Sequence, residues 1–551
     1  MCTALAVGKK RKPNRIMLAK DDRKGIETTE LQVESFDAEA VNSKQNRVLY
    51  EARKKIHPKR ATGWFRGLKW WIMAVTLGIY YLTPWLRWDR GPGAPDQAVL
   101  VDLANRRFYF FFIEIWPHEF FFVAGLLVMA GIGLFLVTST LGRAWCGYTC
   151  PQTVWVDLYL VVERYFEGDR NARIKLDAAP WGMSKFAKRF FKHVVWLLIG
   201  FATGGAWIFY FADAPTLFAE FFTGQAAIVA YATVAVLTAT TYVFGGFMRE
   251  QVCTYMCPWP RIQAAMLDEH SLTVTYNDWR GEPRDRHAKR MRAAGENIGD
   301  CVDCNACVAV CPMGIDIRDG QQMECITCAL CIDACDGVMS KLGLEKGLIA
   351  YATLEEYEAN VQLASNVAPA RSETDPAFDP SRIRGKDGRL ITEVRATSWR
   401  SLVRPRTLLY LLIYGLIGMA LLWSLAVRDT LKVNVLPDRN PVFTVLSNGA
   451  VRNGYEIKIL NMTGRDRSFL LTTTGLPGAT LKLSGSQSLE GRSLKIDVPA
   501  DKLLANRIFV RVPKDRIARQ ETGFNFNILT IGEDDKVVAA ARFEAPQDYG
   551  K

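Results

Sequence analysis

Eight of the thirteen cysteines in this chain fall into two matching runs. The first reads CVDCNACVAVCP, with Cys301, Cys304, Cys307 and Cys311; the second reads CITCALCIDACD, with Cys325, Cys328, Cys331 and Cys335. Three closely spaced thiolates can hold three corners of an iron–sulfur cube, and in two-cluster chains the fourth cysteine of each run crosses to the other cube. The spacing therefore predicts Cys301, Cys304, Cys307 and Cys335 on one 4Fe–4S cluster. Cys325, Cys328, Cys331 and Cys311 are expected on the other. Gly299, Gly314, Gly320 and Gly337 punctuate the runs, as a chain folded tightly around a cluster needs. Zinc sites usually pair two Cys-x-x-Cys hairpins across a longer gap, and a disulfide framework has no use for a repeated spacing. The chemistry implied is one-electron transfer.

Four more cysteines recur in a second pattern. Arg143-Ala144-Trp145-Cys146-Gly147-Tyr148-Thr149-Cys150-Pro151 follows one pair of apolar stretches. Arg249-Glu250-Gln251-Val252-Cys253-Thr254-Tyr255-Met256-Cys257-Pro258 follows another. Residues four apart on a helix share a face, with Cβ atoms about 5–6 Å apart, and the proline ends or kinks the turn. Two thiolates so placed suit a soft cation such as Cu(I), and two pairs could close one four-sulfur site. Met256 can add a thioether, although packing is the commoner use of such a methionine. For one pair alone, small buried side chains at a helix end would be the plainer reading. Two copies in matched positions turn the balance toward a metal or redox role, with Cys146, Cys150, Cys253 and Cys257 as candidate catalytic and copper-binding residues. Cys2 receives no role, and the five histidines (His57, His118, His193, His270, His287) are scattered.

The elements that must position these thiols are membrane helices. At 551 residues the chain is too long for one domain, and a mean hydropathy near zero hides strong segregation. Apolar stretches at Leu68–Leu86, Phe120–Leu141, Val194–Phe211, Ala226–Phe247 and Leu408–Val427 each approach the ~20 residues that a ~30 Å hydrocarbon core demands. Trp70, Trp71, Trp85, Trp88, Trp116, Trp196 and Tyr410 sit toward their edges, as interfacial belts do. Phe108–Ile115 is also apolar, but Trp116-Pro117-His118-Glu119 cuts it off, so it is read as an interfacial segment and not counted. Lys9-Lys10-Arg11-Lys12 and Arg53-Lys54-Lys55 hold the N-terminus in the cytoplasm, and no signal peptide is recognisable. Arg164, Arg170, Arg173, Lys185, Lys188 and Arg189 keep the loop after the second span inside. The loop after the third has Asp213 and Glu220 but no Lys or Arg, and faces out. Both cysteine runs then lie in the reducing cytoplasm, and everything after Val427 lies outside. The +12 net charge belongs largely to the inner loops, so nucleic-acid binding is not required.

The expected fold is an α-helical integral membrane protein with five transmembrane helices, an inserted bacterial-type ferredoxin domain of α+β class and a C-terminal all-β immunoglobulin-like sandwich. Residues 1–67 form a basic, largely disordered cytoplasmic segment, and 68–260 hold four helices in two repeats, each ending in Cys-x-x-x-Cys-Pro. Residues 261–345 are the double-cluster domain and 346–405 a cytoplasmic linker, flexible over Asn366–Asp387. Residues 406–428 are the fifth helix, and 429–551 the outer domain. In the last, Tyr455–Leu460, Ser468–Thr473, Ser493–Val498, Arg507–Val512 and Gly523–Thr530 alternate as strands do, over a length that suits a sandwich. Arg284, Arg286, Lys289, Arg290 and Arg292, ahead of the first run, can balance cluster charge, meet anionic lipid or simply be solvated.

GRAWCGYTCPQTVWVDLYLVVERYFEGDR, REQVCTYMCPWPRIQAAMLDEHSLTVTYNDWRGEPR and the two cysteine runs together resemble the FixG/CcoG family, from about Ile56 to the C-terminus. Its members are accessory proteins of the cbb-type haem–copper oxidase. The resemblance implies two 4Fe–4S clusters on the eight cysteines. It also implies a cupric reductase that supplies Cu(I) for assembly of the oxidase copper centre. Asp336 departs from the proline that often follows the fourth cysteine, whereas Pro312 keeps it. The expected partners are copper ions, copper-handling and oxidase assembly factors, an unidentified cytoplasmic electron donor and membrane lipid, with a homodimer allowed and no nucleic acid. The expected site is the bacterial inner membrane, crossed several times, with the N-terminus and ferredoxin domain cytoplasmic and the C-terminal domain periplasmic. Two alternatives stand beside this: an electron-transfer subunit of a quinol-linked respiratory chain, and a non-enzymatic copper chaperone or scaffold.

Overall fold

The computed structural model describes residues 34–41, 54–91, 94–294, 296, 298–367, 403–485, 490–533 and 535–547. In an apolar setting a backbone must satisfy its own hydrogen bonds, so the Leu-, Val-, Ile- and Phe-rich segments become helices. Helix α1 covers Trp64–Leu82, α2 Phe121–Leu141, α3 Pro151–Glu167, α4 Arg170–Ala178, α5 Met183–Ile208, α6 Ala214–Thr223 and α7 Ile228–Thr241. Among the described residues, four helical stretches are long and apolar enough to cross a membrane: Pro117–Leu141, Met183–Ile208, Ile228–Met256 and Pro405–Ala426. The expected first span, Leu68–Leu86, falls mostly on α1, which is not one of these four. Arg66 and Lys69 in its first turns are buried against Asp157 of α3, at 3.2 and 3.0 Å, and they shorten its apolar run.

Small residues let the helices approach closely. A Cβ at Gly200 or Gly204 of α5 would stand 3.1 or 3.0 Å from the carbonyl oxygens of Thr238 and Val234 on α7. The last span returns to α2, where Gly125 meets Leu421, Gly133 meets Tyr414 and Gly418 meets Met129. Phe108–Ile115, expected as an interfacial segment, supplies two strands of a three-stranded antiparallel sheet of β1 (Val99–Asp102), β2 (Arg107–Phe110) and β3 (Ile113–Ile115). This sheet abuts the C-terminal domain. The Arg107 guanidinium lies 3.7 Å from the Trp116 ring centroid and donates to the Asp501 carbonyl at 2.7 Å. Arg428 pairs with Glu119 at 2.8 Å.

The cysteine-rich region lies between the third and fourth of the long apolar helices. Strands β4 (Thr273–Tyr276) and β5 (Ile349–Ala352) pair antiparallel; one helix, Ala306–Val310, lies within the first run and carries Cys307, and another, Leu330–Leu342, starts within the second and carries Cys331 and Cys335. Part of the N-terminal segment expected to be disordered packs here. The Phe36 N–H donates to the Cys304 carbonyl at 2.9 Å, Val41 to Gly314 at 2.8 Å and Lys59 to Ala309 at 2.8 Å. Phe36 is buried with Ala306 and Ala309, and one apolar anchor in a polar stretch leaves no periodicity to read. The Lys9–Lys12 run, Arg53 and the part of the expected linker beyond residue 367 lie outside the described residues.

The C-terminal domain is two packed sheets. Strands β6 (Leu431–Pro437), β7 (Phe443–Val445), β8 (Val451–Asn461), β10 (Thr480–Leu483) and β12 (Leu503–Val512) form one, in the order β10-β12-β8-β6 with β7 also on β8. Strands β9 (Arg467–Thr474), β11 (Ser493–Val498), β13 (Glu521–Thr530) and β14 (Lys536–Glu544) form the other, in the order β11-β9-β13-β14. Tyr455, Ile457, Ile459, Ile508 and Val510 from the first sheet meet Phe469, Leu471, Phe526 and Ile528 from the second. Every stretch expected to be a strand is one; β6, β7, β10 and β14 were not anticipated.

Candidate iron–sulfur and thiol site

The two cysteine runs share one backbone device. Asp303 and Asn305, on either side of Cys304, have φ of 45° and 56°; Thr327 and Ala329, on either side of Cys328, have φ of 50° and 59°. Left-handed residues flanking the middle thiol reverse the chain twice within seven residues, which draws the three thiols of a run together. Of the four glycines expected to supply such freedom, Gly314 and Gly320 have positive φ, but the decisive positions are not glycines.

Cys311, Cys325, Cys328 and Cys331 line one apolar pocket, with Val274, Ile315, Ile317 and Leu330 around them. Burial pushes the Cys311 thiol up to about 12, and the neighbouring Cys328 and Cys325 push the same way. Burial also raises the Cys335 thiol, with Cys307, Cys301 and Cys304 as its next strongest influences. The fourth cysteine of each run thus lies beside the first cysteines of the other. Desolvated thiols of this kind are poor anions unless something positive compensates them, and a bound cluster would do so. Among the described residues, no three His, Cys, Asp or Glu side chains lie close enough to share a single ion. Thiolates on one tetrahedral ion, with bonds of about 2.3 Å, stand within about 4 Å of one another.

Each run also has a buried arginine that the pattern of cysteines did not reveal. Arg318 donates to Asp303 at 2.8 Å and to Asn305 at 2.7 Å, and its neighbours include Cys307 and Cys301. Arg143 donates to the carbonyls of Met323, Cys325 (3.1 Å) and Pro260, between Cys325 and Cys146. Of the basic residues singled out from sequence, Arg284 and Arg286 approach the same Asp303, at 4.0 and 3.6 Å, and Arg292 pairs with Asp300, beside Cys301, at 3.3 Å. A fixed cation beside a cluster favours its reduced, more negative form. Arg143→Met and Arg318→Met are each expected to move one cluster's midpoint to a more negative potential, read by EPR-monitored redox titration.

The membrane-edge pairs form matched π turns rather than the regular α turns expected. The Cys150 N–H donates to the Trp145 carbonyl at 2.9 Å, and the Cys257 N–H to Val252 at 2.8 Å, both five residues back. Such one-turn widenings are frequent at functional sites. Cys146 is buried; its Sγ donates to Gln263 Oε1 at 2.9 Å, and Gln263 Nε2 donates to Thr138 at 3.2 Å. Burial pushes the Cys146 thiol up to about 12, with Cys150 and Cys257 adding to the effect and Arg143 opposing it. Cys253 packs against the apolar cluster that contains Cys146 and Cys328.

This thiol turn is docked on the second cysteine run. The Tyr148 hydroxyl donates to the Cys328 carbonyl at 3.2 Å, and Tyr351 clasps the adjacent Thr327 carbonyl at 2.6 Å. A Cβ at Gly147 would stand 2.6 Å from the Ile326 carbonyl oxygen and 3.1 Å from Cys328 Cα. Glycine is required there by a close approach of backbones, a reason invisible in a single sequence.

Behind the turn, Glu163 of α3 is buried among Arg173 (2.7 Å), Arg249 (3.0 Å) and Lys192 (3.7 Å). Burial alone would raise this carboxyl, but Arg249, Arg173 and Lys192 outweigh it and hold it at about 2. A folded-state value below the unfolded ~4.3 contributes stability that is complete above about pH 5 and lost as pH falls toward 2. Thermal melts across that window should show the loss. Glu163→Gln should flatten it while costing about 3 kcal/mol, because buried cations lose their partner.

Comparisons with known proteins agree with these features. Residues 248–354 match a 4Fe-4S dicluster domain, 121–164 a 4Fe-4S binding domain, and 421–546 the IG-like fold at the C-terminal of FixG. The chain is 62% identical over 524 residues to the nitrogen fixation protein FixG of Rhizobium meliloti, covering 95% of this chain and 99% of that one. It is 52% identical over 466 residues to protein RdxB of Cereibacter sphaeroides, covering 85% and 90%. Protein RdxA of the same organism is 51% identical over 466 residues, covering 85% and 91%. With apolar helices of membrane-spanning length, two 4Fe–4S signatures and near-complete coverage of a FixG protein, the chain belongs to the FixG/CcoG family of membrane iron–sulfur electron-transfer proteins.

Proposed function

We propose that this oxidoreductase is a cupric reductase, converting Cu(II) to Cu(I) at the membrane-edge thiols for assembly of a cbb-type oxidase copper centre. The observation that carries the reading is the seating of the Cys146 turn directly on Ile326–Cys328 of the second cysteine run. In this reading Cys301, Cys304, Cys307 and Cys335 hold one cluster, and Cys325, Cys328, Cys331 and Cys311 the other. When bound, the clusters supply one-electron reducing equivalents. Cys146, Cys150, Cys253 and Cys257 receive copper; thiolates prefer Cu(I) to Cu(II), so the ligand set favours the product. Each pair binds copper as a two-thiolate site, or the two pairs close on one ion. Gln263 aims the Cys146 sulfur, and Tyr148 with Arg143 holds the turn to the second run.

The same reading counts α1 as a fifth span, places the N-terminus and cysteine runs in the cytoplasm, and takes the outer domain as an immunoglobulin-like module that meets assembly partners. The domain limits are those expected from sequence, except that Ile349–Ala352 joins the cysteine-rich domain by pairing with β4 and that part of residues 34–67 packs on it. The test is anaerobic: pre-reduced protein is mixed with Cu(II) while cluster absorbance and chelator-captured Cu(I) are followed together. Re-oxidation with matching Cu(I) supports the reading; clusters that stay reduced while copper binds unreduced would leave a carrier or scaffold. Gly147→Ala should retain both clusters yet lower the rate of Cu(I) formation several-fold, because the new Cβ lifts the thiol turn from Ile326.

A further inference from the structure

A cavity of about 370 Å³ lies where the start of α5 meets the end of the Ile228–Met256 helix. That is within the range of small-molecule sites. Its walls include Glu163, Lys192, His193, Trp196, Phe247 and Arg249. The cavity stands behind both thiol pairs. Gln152, two residues past Cys150, donates to the carbonyls of Phe244 at 2.9 Å and Arg249 at 3.2 Å. Glu250, also on the wall, accepts at its carbonyl from Thr254, the neighbour of Cys253, at 3.0 Å.

The wall chemistry selects among ligands. Every cation there already faces a carboxylate. Lys192 meets Glu167 at 2.7 Å, Arg249 meets Glu163 at 3.0 Å, Lys55 meets Asp177 at 2.6 Å, and Arg189 also pairs with Asp177. A phosphate headgroup would find no uncommitted positive charge. What the cavity offers instead is flat and neutral. His193 stacks on Phe247 with 11° between planes and 5.8 Å between centroids, and lies edge-on to Trp196 at 5.2 Å. The Tyr242 hydroxyl lies 3.0 Å from His193 Nδ1. In the tautomer whose Nδ1–H donates to the Tyr242 oxygen, Nε2 accepts from a hydroquinone hydroxyl; in the other, with the Tyr242 hydroxyl donating to Nδ1, Nε2–H donates to a quinone carbonyl. Phe190, Phe191, Leu197 and Val243 are exposed on the flanking helix surfaces, so a lipid-soluble molecule can arrive from the side.

We propose that this cavity binds a membrane-soluble hydroquinone, and that the hydroquinone is the source of the reducing equivalents that reach copper. Aromatic walls take the ring, and His193 takes a hydroxyl. The hydroquinone loses two electrons and two protons to become the quinone, while two Cu(II) each gain one electron to become Cu(I). One proton passes to His193 Nε2 and the other to water at the charged rim. The identity of the electron acceptor rests on the copper reading; the ligand class does not.

The full-length protein in detergent is titrated with decylubiquinone while tryptophan fluorescence is followed. Saturable quenching is expected, with Kd about tenfold weaker in His193→Leu and about threefold weaker in Tyr242→Phe, which removes one hydroxyl and little volume. Quenching that never saturates, or that is equal in all three proteins, overturns the proposal. Displacement of decylubiquinone by dioleoyl phosphatidylglycerol but not by the phosphatidylcholine analogue also overturns it, in favour of a headgroup site. Anaerobic turnover with decylubiquinol should give one quinone per two Cu(I). If protein pre-reduced with dithionite and freed of excess reductant forms Cu(I), and decylubiquinol gives no more Cu(I) with protein than without it, the reductant role falls while the copper reading stands. If decylubiquinone binds as expected but neither reductant yields Cu(I), the copper reading falls and the hydroquinone site stands.

Discussion

Cys304→Ser is expected to carry about four irons per chain where the unmodified protein carries about eight, because one 4Fe–4S cluster loses a ligand and the other keeps all of its own. Cys304 stands between two left-handed residues, beneath Phe36, whose N–H donates to the Cys304 carbonyl. A hydroxyl in place of the thiol keeps that backbone contact, so the fold should survive. Chelator-captured Cu(I) formation should fall by at least about tenfold, since one of two successive one-electron carriers is gone. Iron analysis and the cluster EPR signal read the first effect independently of copper. A variant that kept about eight irons would show that Cys304 is not a ligand. Cys335→Ser tests the crossover: it should remove the same cluster as Cys304→Ser, since Cys335 lies beside Cys301, Cys304 and Cys307.

The double variant Cys146→Ser with Cys257→Ser should do the reverse, leaving about eight irons and unaltered cluster absorbance while Cu(I) formation drops by at least about tenfold. One thiol is removed from each pair, so neither a two-thiolate site nor a closed four-sulfur site remains. Serine preserves volume at Cys146, and its hydroxyl can still donate to Gln263, which limits the structural cost. A variant that reduced and retained copper as the unmodified protein does would remove the thiol pairs from the mechanism and leave the clusters as the only redox site.

The two halves of the site differ in how openly the chain displays them. The eight ferredoxin cysteines are legible because ligand spacing is local: three thiols within seven residues are brought together by the turn they sit on. The paired arginines are not, because Arg143 is 180 residues from the Met323 carbonyl that it caps. One signal was present: an arginine precedes each Cys-x-x-x-Cys-Pro, but the two are not used alike, since Arg249 turns away to Glu163. Phe36 and Gly147 were silent for another reason. A single aromatic residue and a single glycine carry no period, and their roles exist only where a distant strand of backbone passes over them.

The membrane helices show the same division. Four apolar runs were recognisable by length and composition, since hydrocarbon imposes both. The first run begins among Arg66 and Lys69, whose pairing with Asp157, about ninety residues away, only the packed structure shows. The strands within Phe108–Ile115 were not foreseen for a related reason: seven apolar residues and one glutamate suit an interface, a buried helix or two short strands, and the sheet partner decides the local structure. By itself the amino-acid order determined that the chain carries 4Fe–4S signatures, roughly where its long apolar helices lie, and that the C-terminal part is β, since each depends on neighbours within about twenty positions. Tertiary structure alone decided that the membrane-edge thiols sit against the second cysteine run, that a paired-charge cavity lies behind them, and which cations face the clusters. Those facts depend on segments one to two hundred residues apart meeting in space, and no local pattern encodes the meeting.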